Sequence, residues 1–231
     1  SEGVGVAVVD ATGNDDLHRL GPALKGMPLV TAGSGVAIGL PANFGLKPSL
    51  QASQLPAAKG LQAVVSGSCS LATNAQVAHF KSTGRPAMAI NPAALMHGQS
   101  DAVVQQVLAW AAPLLKDGPV LVYSTAEPEA VKAVQAQLGV AEAGALVEHA
   151  LAAVARGLVG LGVQQLVVAG GETSGACVQA LGIAQLQIGP QIDPGVPWCH
   201  APSSTGGVHI TLKSGNFGTE DFFTKAFTVL A

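Results

Sequence analysis

Short apolar runs alternate with amphipathic stretches along most of the chain. An apolar run of four to eight residues bounded by glycine or proline predicts a buried strand; apolar residues recurring at three and four predict a helix. On this reading residues 4–9 form a strand and 15–24 a helix with acids in its first turn, where the dipole favours them. Residues 28–31 read as a second short strand, and "GSGVAIGL" turns into a short helix. From residue 61 the alternation becomes regular, with strands predicted at 61–65, 86–90, 119–123, 165–169 and in "GGVHITLKSG". Helices are predicted at 71–81, 101–115, 128–138, 141–158, 173–181 and 220–230. In the second of these Val103, Val104, Val107, Leu108, Ala111 and Leu115 fall at helical spacing. Strands separated by helices imply parallel pairing. The predicted fold is α/β, a three-layer, mostly parallel sheet with helices on both faces, and ligands on such sheets sit at the carboxyl ends of strands.

Residues 41–60, "PANFGLKPSLQASQLPAAKG", interrupt the pattern with three prolines and few branched residues, which is linker-like. The expected division is therefore 1–45 as the tail of one α/β domain, 46–60 as a linker and 61–231 as a second domain. The chain opens without Met and goes straight into an apparent strand, as a fragment or a processed chain would. At 48% hydrophobic and 11% charged residues, the 231-residue chain is not a disordered one. No window of eighteen apolar residues runs uninterrupted and no leader is recognisable, so neither a membrane partner nor export is expected. Cys69, Cys177 and Cys199 are an odd set without C-x-x-C spacing, which suits free thiols of a cytoplasmic protein better than disulfides or zinc. A net charge of −3 argues against nucleic acid. Residues 17–100 hold no acid but do hold Arg19, Lys25, Lys47, Lys59, Lys81 and Arg85, either a face for an anionic ligand or scattered surface charges.

Three strand exits carry the candidate chemistry: "SGSCS" at 66–70, "GGETSG" at 170–175 and "KSGNFG" at 213–218. In each, glycine lets backbone approach a ligand closely, and a helix follows whose unpaired N–H groups and positive dipole end face the turn. Ser66, Ser68, Thr173 and Ser174 add hydroxyl groups. Such turns hold phosphate oxygens without a P-loop lysine; the same residues also serve as ordinary helix caps. Lys213 alternates with His209 and Thr211 along its strand, so it either reaches a phosphate at the strand end or faces solvent. Glu172 is a dipole-matched cap, a magnesium ligand or a water-holder; Asp193 reads as a turn residue before Pro194. Trp198 either stacks on an adenine or is buried in an irregular loop. The six His show no H-x-x-H or H-E-x-x-H pattern, so no protein metal site is expected. "GSGVAIG" imitates a dinucleotide turn, but no acid follows it until Asp101, where a ribose ligand would be needed about twenty residues on. No G-x-S-x-G elbow is present.

The strings "SGSCSLATNAQV", "GGETSGACVQALG", "IDPGVPW" and "LKSGNFGTEDFF" occur in this order and at about this spacing in the four-carbon acid sugar kinases, so 61–231 resembles their nucleotide-binding domain. The opening segment, with "VVDATGNDDL" and "TAGSGVAIGL", resembles the end of the family's preceding domain. The resemblance implies ATP and Mg2+ as cofactors and phosphoryl transfer to the C4 hydroxyl of 3-oxo-tetronate, erythronate or threonate. It also implies ATP contacts at Ser68, Gly170, Gly171, Glu172, Thr173 and Gly215; Ser66, Ser174 and Lys213 are candidate phosphate contacts on the chemistry of the turns themselves. The family's Asp-rich substrate segment is absent, so the acid sugar and the catalytic base are expected from an N-terminal substrate domain outside this sequence. The chain alone would then transfer little phosphate, and a homodimer is compatible. The alternative from another class is a non-catalytic nucleotide- or anion-sensing module.

Overall fold

The computed structural model describes residues 5–49, 54–124, 139–202 and 207–230. Its contacts divide the chain into two units, Ser1–Leu50 and Gln51–Ala231.

The first unit carries helix α1 (Asn14–Ala23) and two 3-10 turns, Ser34–Ile38 and Pro41–Phe44. Just before α1, Thr12 donates from its N–H and its hydroxyl to Asp16 Oδ2 in the first turn of the helix, at 2.9 and 3.0 Å. Gly21 of α1 and Gly39 pack so closely that a Cβ on Gly21 would overlap the Gly39 carbonyl. The strands expected at 4–9 and 28–31 do not form: residues 5–9 and 28–31 are irregular, and Val6, Val8 and Leu29 are exposed. An apolar run becomes a strand only against a partner, and none of the described residues offers one.

The second unit is built on a seven-stranded sheet. Its strands are β1 (Leu61–Ser66), β2 (Ala87–Ala89), β3 (Val120–Tyr123), β4 (Val163–Ala169), β5 (Gln187–Asp193), β6 (Val196–Ala201) and β7 (Val208–Lys213). They lie in the order β2-β3-β1-β4-β7-β6-β5. Neighbours from β2 to β7 pair parallel, while β6 runs antiparallel to β7 and β5 to β6. The helices are α2 (Leu71–Ser82), α3 (Ser100–Leu114), α4 (Val140–Gly160), α5 (Gly171–Ala180) and α6 (Phe222–Thr228). The sheet is α/β and mostly parallel, as the alternation predicts; the β5–β6 hairpin is the part the pattern does not show. The helix expected over 128–138 lies outside the described residues.

Alternation along each strand sends neighbouring side chains to opposite faces. On one face Ala63, Val65, Val122, Leu166, Val168 and Ile210 pack with Val107 of α3, Leu151 and Leu158 of α4, and Cys177 of α5. On the other, Val64, Leu121 and Val167 pack with Phe80 of α2, Trp198, and Phe222 and Phe223 of α6. Helix α4 is long and apolar enough over Glu142–Gly160 to cross a membrane by length and composition. The burial of Leu151, Val154, Ala155 and Leu158 in the first cluster marks it as a core helix instead.

The order of strands positions the site. β1 and β4 are neighbours, yet the chain leaves β1 through α2 on one face and leaves β4 through α5 on the other. Adjacent connections that depart to opposite faces open a crevice at the carboxyl edge.

Candidate functional site

The three glycine turns meet at that edge. The register pairs Ser66 with Ala169 and Ala169 with Lys213, so β1, β4 and β7 end in one row and their turns begin side by side. Backbone bonds join them: Gly67 N–H donates to Ala169 O at 2.9 Å, and Gly170 N–H donates to Lys213 O at 2.8 Å. Gly67 has no room for a side chain, since a Cβ there would overlap Thr173 Oγ1.

The first turn ends in Ser70, which caps α2 by accepting from Thr73 N–H at 3.2 Å. Ser70 and Thr73 hydroxyls also donate across to Gly215 O of the third turn, at 2.5 and 2.9 Å. Ser68 is half-buried between them, with its Oγ 3.3 Å from Ser70 Oγ.

The second turn opens α5. Gly170 adopts a φ of +125°, which glycine alone takes without strain. Ser174 N–H is the first amide to reach back, to Gly170 O at 2.9 Å. The amides of Gly171, Glu172 and Thr173 precede it and have no helical acceptor, so they stand at the positive end of the helix. A Cβ on Gly171 would meet nothing within 4 Å: the space beside these amides is open. Glu172 is exposed, and its carboxyl lies beside that of Glu148 of α4. Desolvation first, then the neighbouring carboxyl of Glu172, push the Glu148 carboxyl above its ordinary range.

The third turn is built around Lys213. This side chain is fully buried, so the solvent-facing reading is excluded. Its ammonium donates to Thr73 Oγ1 at 2.9 Å and to the carbonyls of Ser214, Gly215 and Phe217 at 3.1, 2.9 and 3.2 Å. None of these partners is a carboxylate, and burial pulls the Lys213 pKa down to about 8. A cation balanced only by dipoles, beneath a row of turns with spare amides, makes a site for an anion.

Of the residues singled out from the sequence, Ser68, Gly170, Gly171, Glu172, Thr173, Lys213 and Gly215 lie on these three adjoining turns. Ser66 and Ser174 belong to the same turns but are buried, and Ser174 Oγ has no partner among the described residues. The six basic residues of 17–100 are all exposed and none lies on the turns. Trp198 is buried in β6 rather than in an irregular loop, and its Nε1 donates to Ala226 O at 2.7 Å, so it is no platform for a base. Asp193 is more than a turn residue: it ends β5, accepts from Thr219 N–H at 2.8 Å and pairs with Lys225 at 2.5 Å. These bonds hold its carboxyl low against the opposing effect of burial. "GSGVAIG" follows no strand and forms only a 3-10 turn. Thr73 and Gln76, beyond the Ser70 that ends the first turn, escaped the sequence reading. Their signal is a polar residue every third position at the start of an otherwise core-facing helix. A cleft of about 320 Å3 lined by Pro56, Ala57, Lys59, Gln164, Gly207 and His209 lies at the opposite, amino-terminal ends of β4 and β7, away from the turns.

Comparison with known proteins shows the family. The model of a family described as nucleotide-binding C-terminal domain matches residues 63–223. A 3-oxo-tetronate kinase of Pseudomonas fluorescens is 53% identical over 235 residues, covering 100% of this chain and 53% of that protein. A 3-oxo-tetronate kinase of Brucella melitensis is 43% identical, covering 98% of this chain and 52% of that protein. The chain thus spans about half the length of the curated relatives it matches. A crystal structure of a Haemophilus influenzae protein superposes with a TM-score of 0.77 at 37% identity, covering 97% of this chain and 53% of that one. Another, a Bordetella bronchiseptica domain of unknown function described as a domain-swapped dimer with bound citrate, has a TM-score of 0.57 at 25% identity, covering 96% of this chain and 51% of that one.

Proposed function

The chain belongs to the family of nucleotide-binding C-terminal domains, and on that premise we propose that its three turns hold the phosphates of ATP for transfer to the C4 hydroxyl of a four-carbon acid sugar. The acceptor class is 3-oxo-tetronate, erythronate or threonate, and the enzyme a cytoplasmic sugar-acid kinase. The observation that carries the reading is the buried, carboxylate-free Lys213 ammonium beneath the adjoining turns.

Phosphoryl transfer needs positioning and charge stabilisation more than covalent chemistry. The amides of Gly171, Glu172 and Thr173 supply donors fixed by the start of α5. Gly170 and Gly215 let the turns close on one another, since a Cβ on Gly170 would crowd Thr173 and one on Gly215 would crowd Ser68; their backbone borders the phosphates, and Ser68 offers a hydroxyl at the rim. Lys213 acts from beneath through the turn it organises, with Ser66 and Ser174 packed under the same edge. Mg2+ takes oxygen ligands, commonly one or two carboxylates plus phosphate oxygens. The facing carboxyls of Glu148 and Glu172 fit that donor set. When bound, the ion would neutralise charge building on the phosphates. No histidine lies on the three turns, and the base that takes the acceptor proton is assigned to an N-terminal substrate domain. Residues 1–45 are assigned as the tail of that domain, in keeping with exposed Val6, Val8, Leu29 and Phe44 in the first unit. On this assignment the chain alone binds Mg2+–ATP but transfers little phosphate. Pairing of two copies is compatible with it.

Calorimetry tests the site directly. The folded chain is expected to bind Mg2+–ATP, and Gly171→Val, whose side chain enters open space, is expected to weaken binding at least tenfold (about 1.4 kcal/mol) with little change in melting temperature. A well-folded wild type that takes up no nucleotide, or undiminished binding by Gly171→Val, sinks the assignment. A protein that includes the N-terminal domain separates a kinase from a nucleotide sensor: only the kinase phosphorylates erythronate, threonate or 3-oxo-tetronate.

A further inference from the structure

The third turn is held by a side chain that no phosphate contact would require. Gln76 lies on α2, two turns beyond the Ser70 cap, and is 1% exposed. Its Nε2 donates to the carbonyls of Phe217, Gly218 and Thr219 at 3.0, 3.1 and 3.1 Å, two hydrogens shared among three acceptors. Its Oε1 is buried and has no partner among the described residues. A buried amide ordinarily satisfies both ends. Here one end is left orphaned while the other serves the turn.

Other donors complete the hold. Lys213 takes the carbonyls of Ser214, Gly215 and Phe217 from beneath. Ser70 and Thr73 take that of Gly215 from the start of α2. At the far end Asp193 accepts from the N–H and hydroxyl of Thr219, at 2.8 and 3.0 Å. The carbonyls of Ser214, Gly215, Phe217, Gly218 and Thr219 are all engaged by protein donors. Of the amides from 214 to 218, only Phe217 N–H has a backbone acceptor among the described residues, Ser214 O at 3.1 Å. A turn whose carbonyls are consumed from within leaves its amides for an anion.

We infer that Gln76 is a positioning residue of the phosphate site: it draws the carbonyls of residues 217–219 inward, so that the amides of residues 214–216 are left for the phosphate oxygens of a nucleotide. The inference rests on the nucleotide reading proposed above. Asp193 closes the same turn at its far end.

The test compares wild type, Gln76→Met and Gln76→Glu of the same chain by hydrogen exchange at the Phe217 and Thr219 amides, by Mg2+–ATP calorimetry and by thermal unfolding. Gln76→Met removes both donors at similar size. Exchange at the Phe217 and Thr219 amides, the two of residues 214–219 with protein acceptors among the described residues, is expected to quicken at least tenfold, and the ATP Kd to rise at least tenfold. Gln76→Glu places a carboxylate against the Phe217 carbonyl that Lys213 also binds. The carboxylate is expected to pair with the ammonium, so the fold holds while the Kd still rises at least tenfold, because the lysine charge is spent inside the protein. A residue that only filled space would lose stability and binding together. The inference is overturned if either folded variant exchanges and binds as the wild type does. Should Gln76→Met fail to fold, Gln76→Glu decides. If the wild type binds no Mg2+–ATP, the nucleotide reading falls, and the exchange rates alone decide whether Gln76 clamps the turn.

Discussion

At the scale of the residue, Lys213 concentrates the argument. Its strand pattern left two directions open, and what settles them is Thr73, 140 positions away, which spacing along β7 cannot show. Burial lowers its pKa from 10.5 to about 8. Between those values the unfolded chain holds a proton that the folded protein has released, so this group makes stability rise with pH across that window; below pH 8 both forms are protonated and the cost of burying the charge is fully present. Cys177, whose thiol burial pushes up to about 12 from 9.0, acts in the opposite direction above pH 9. The lysine's share is therefore the difference from Lys213→Met. Denaturant unfolding at several pH values between 7.5 and 10.5 should show the wild type gaining stability relative to that variant as pH rises. Parallel pH profiles would mean that the ammonium is not desolvated as the structure has it.

At the scale of the element, the inner strands and the amphipathic helices were legible because each obeys one period from end to end. The β5–β6 hairpin was not. Gly189, Pro190, Pro194, Gly195 and Pro197 break its alternation. β5 is an edge strand, where proline is tolerated, and Pro194–Gly195 makes the reversal, with Gly195 at a φ of +78°. The opposite error, strands read at 4–9 and 28–31, came from apolar runs that lack a partner. Within α5 two adjacent glycines have different duties. A Cβ on Gly170 would lie 2.8 Å from Thr173 Oγ1 and 3.2 Å from Ser68 N, at a φ of +125° that other residues rarely take. Gly170→Ala should cost about 1–3 kcal/mol by denaturant unfolding, whereas Gly171→Val should cost little. Equal stabilities for the two variants would contradict this division of labour.

At the scale of the whole molecule, the two units differ in what they bury. Among residues 5–49 the buried positions are Gly21 and Gly39, with no large apolar side chain, whereas β1, β3 and β4 of the second unit are enclosed on both faces. Amides of α1 should therefore exchange orders of magnitude faster than those of β1 and β4; comparable protection would show that the first unit draws on a stabilisation not visible in its own packing. What the sequence could not convey is adjacency. Each turn could be found by inspection, but that the three stand side by side depends on strand order. Ser70 and Gly215, joined by a hydrogen bond, are 145 positions apart in the chain. Contacts that distant in sequence slow the folding of a chain. The binding edge thus exists only in the assembled sheet: a ligand seated there holds the finished sheet against unfolding and has nothing to grip on a chain still finding its way.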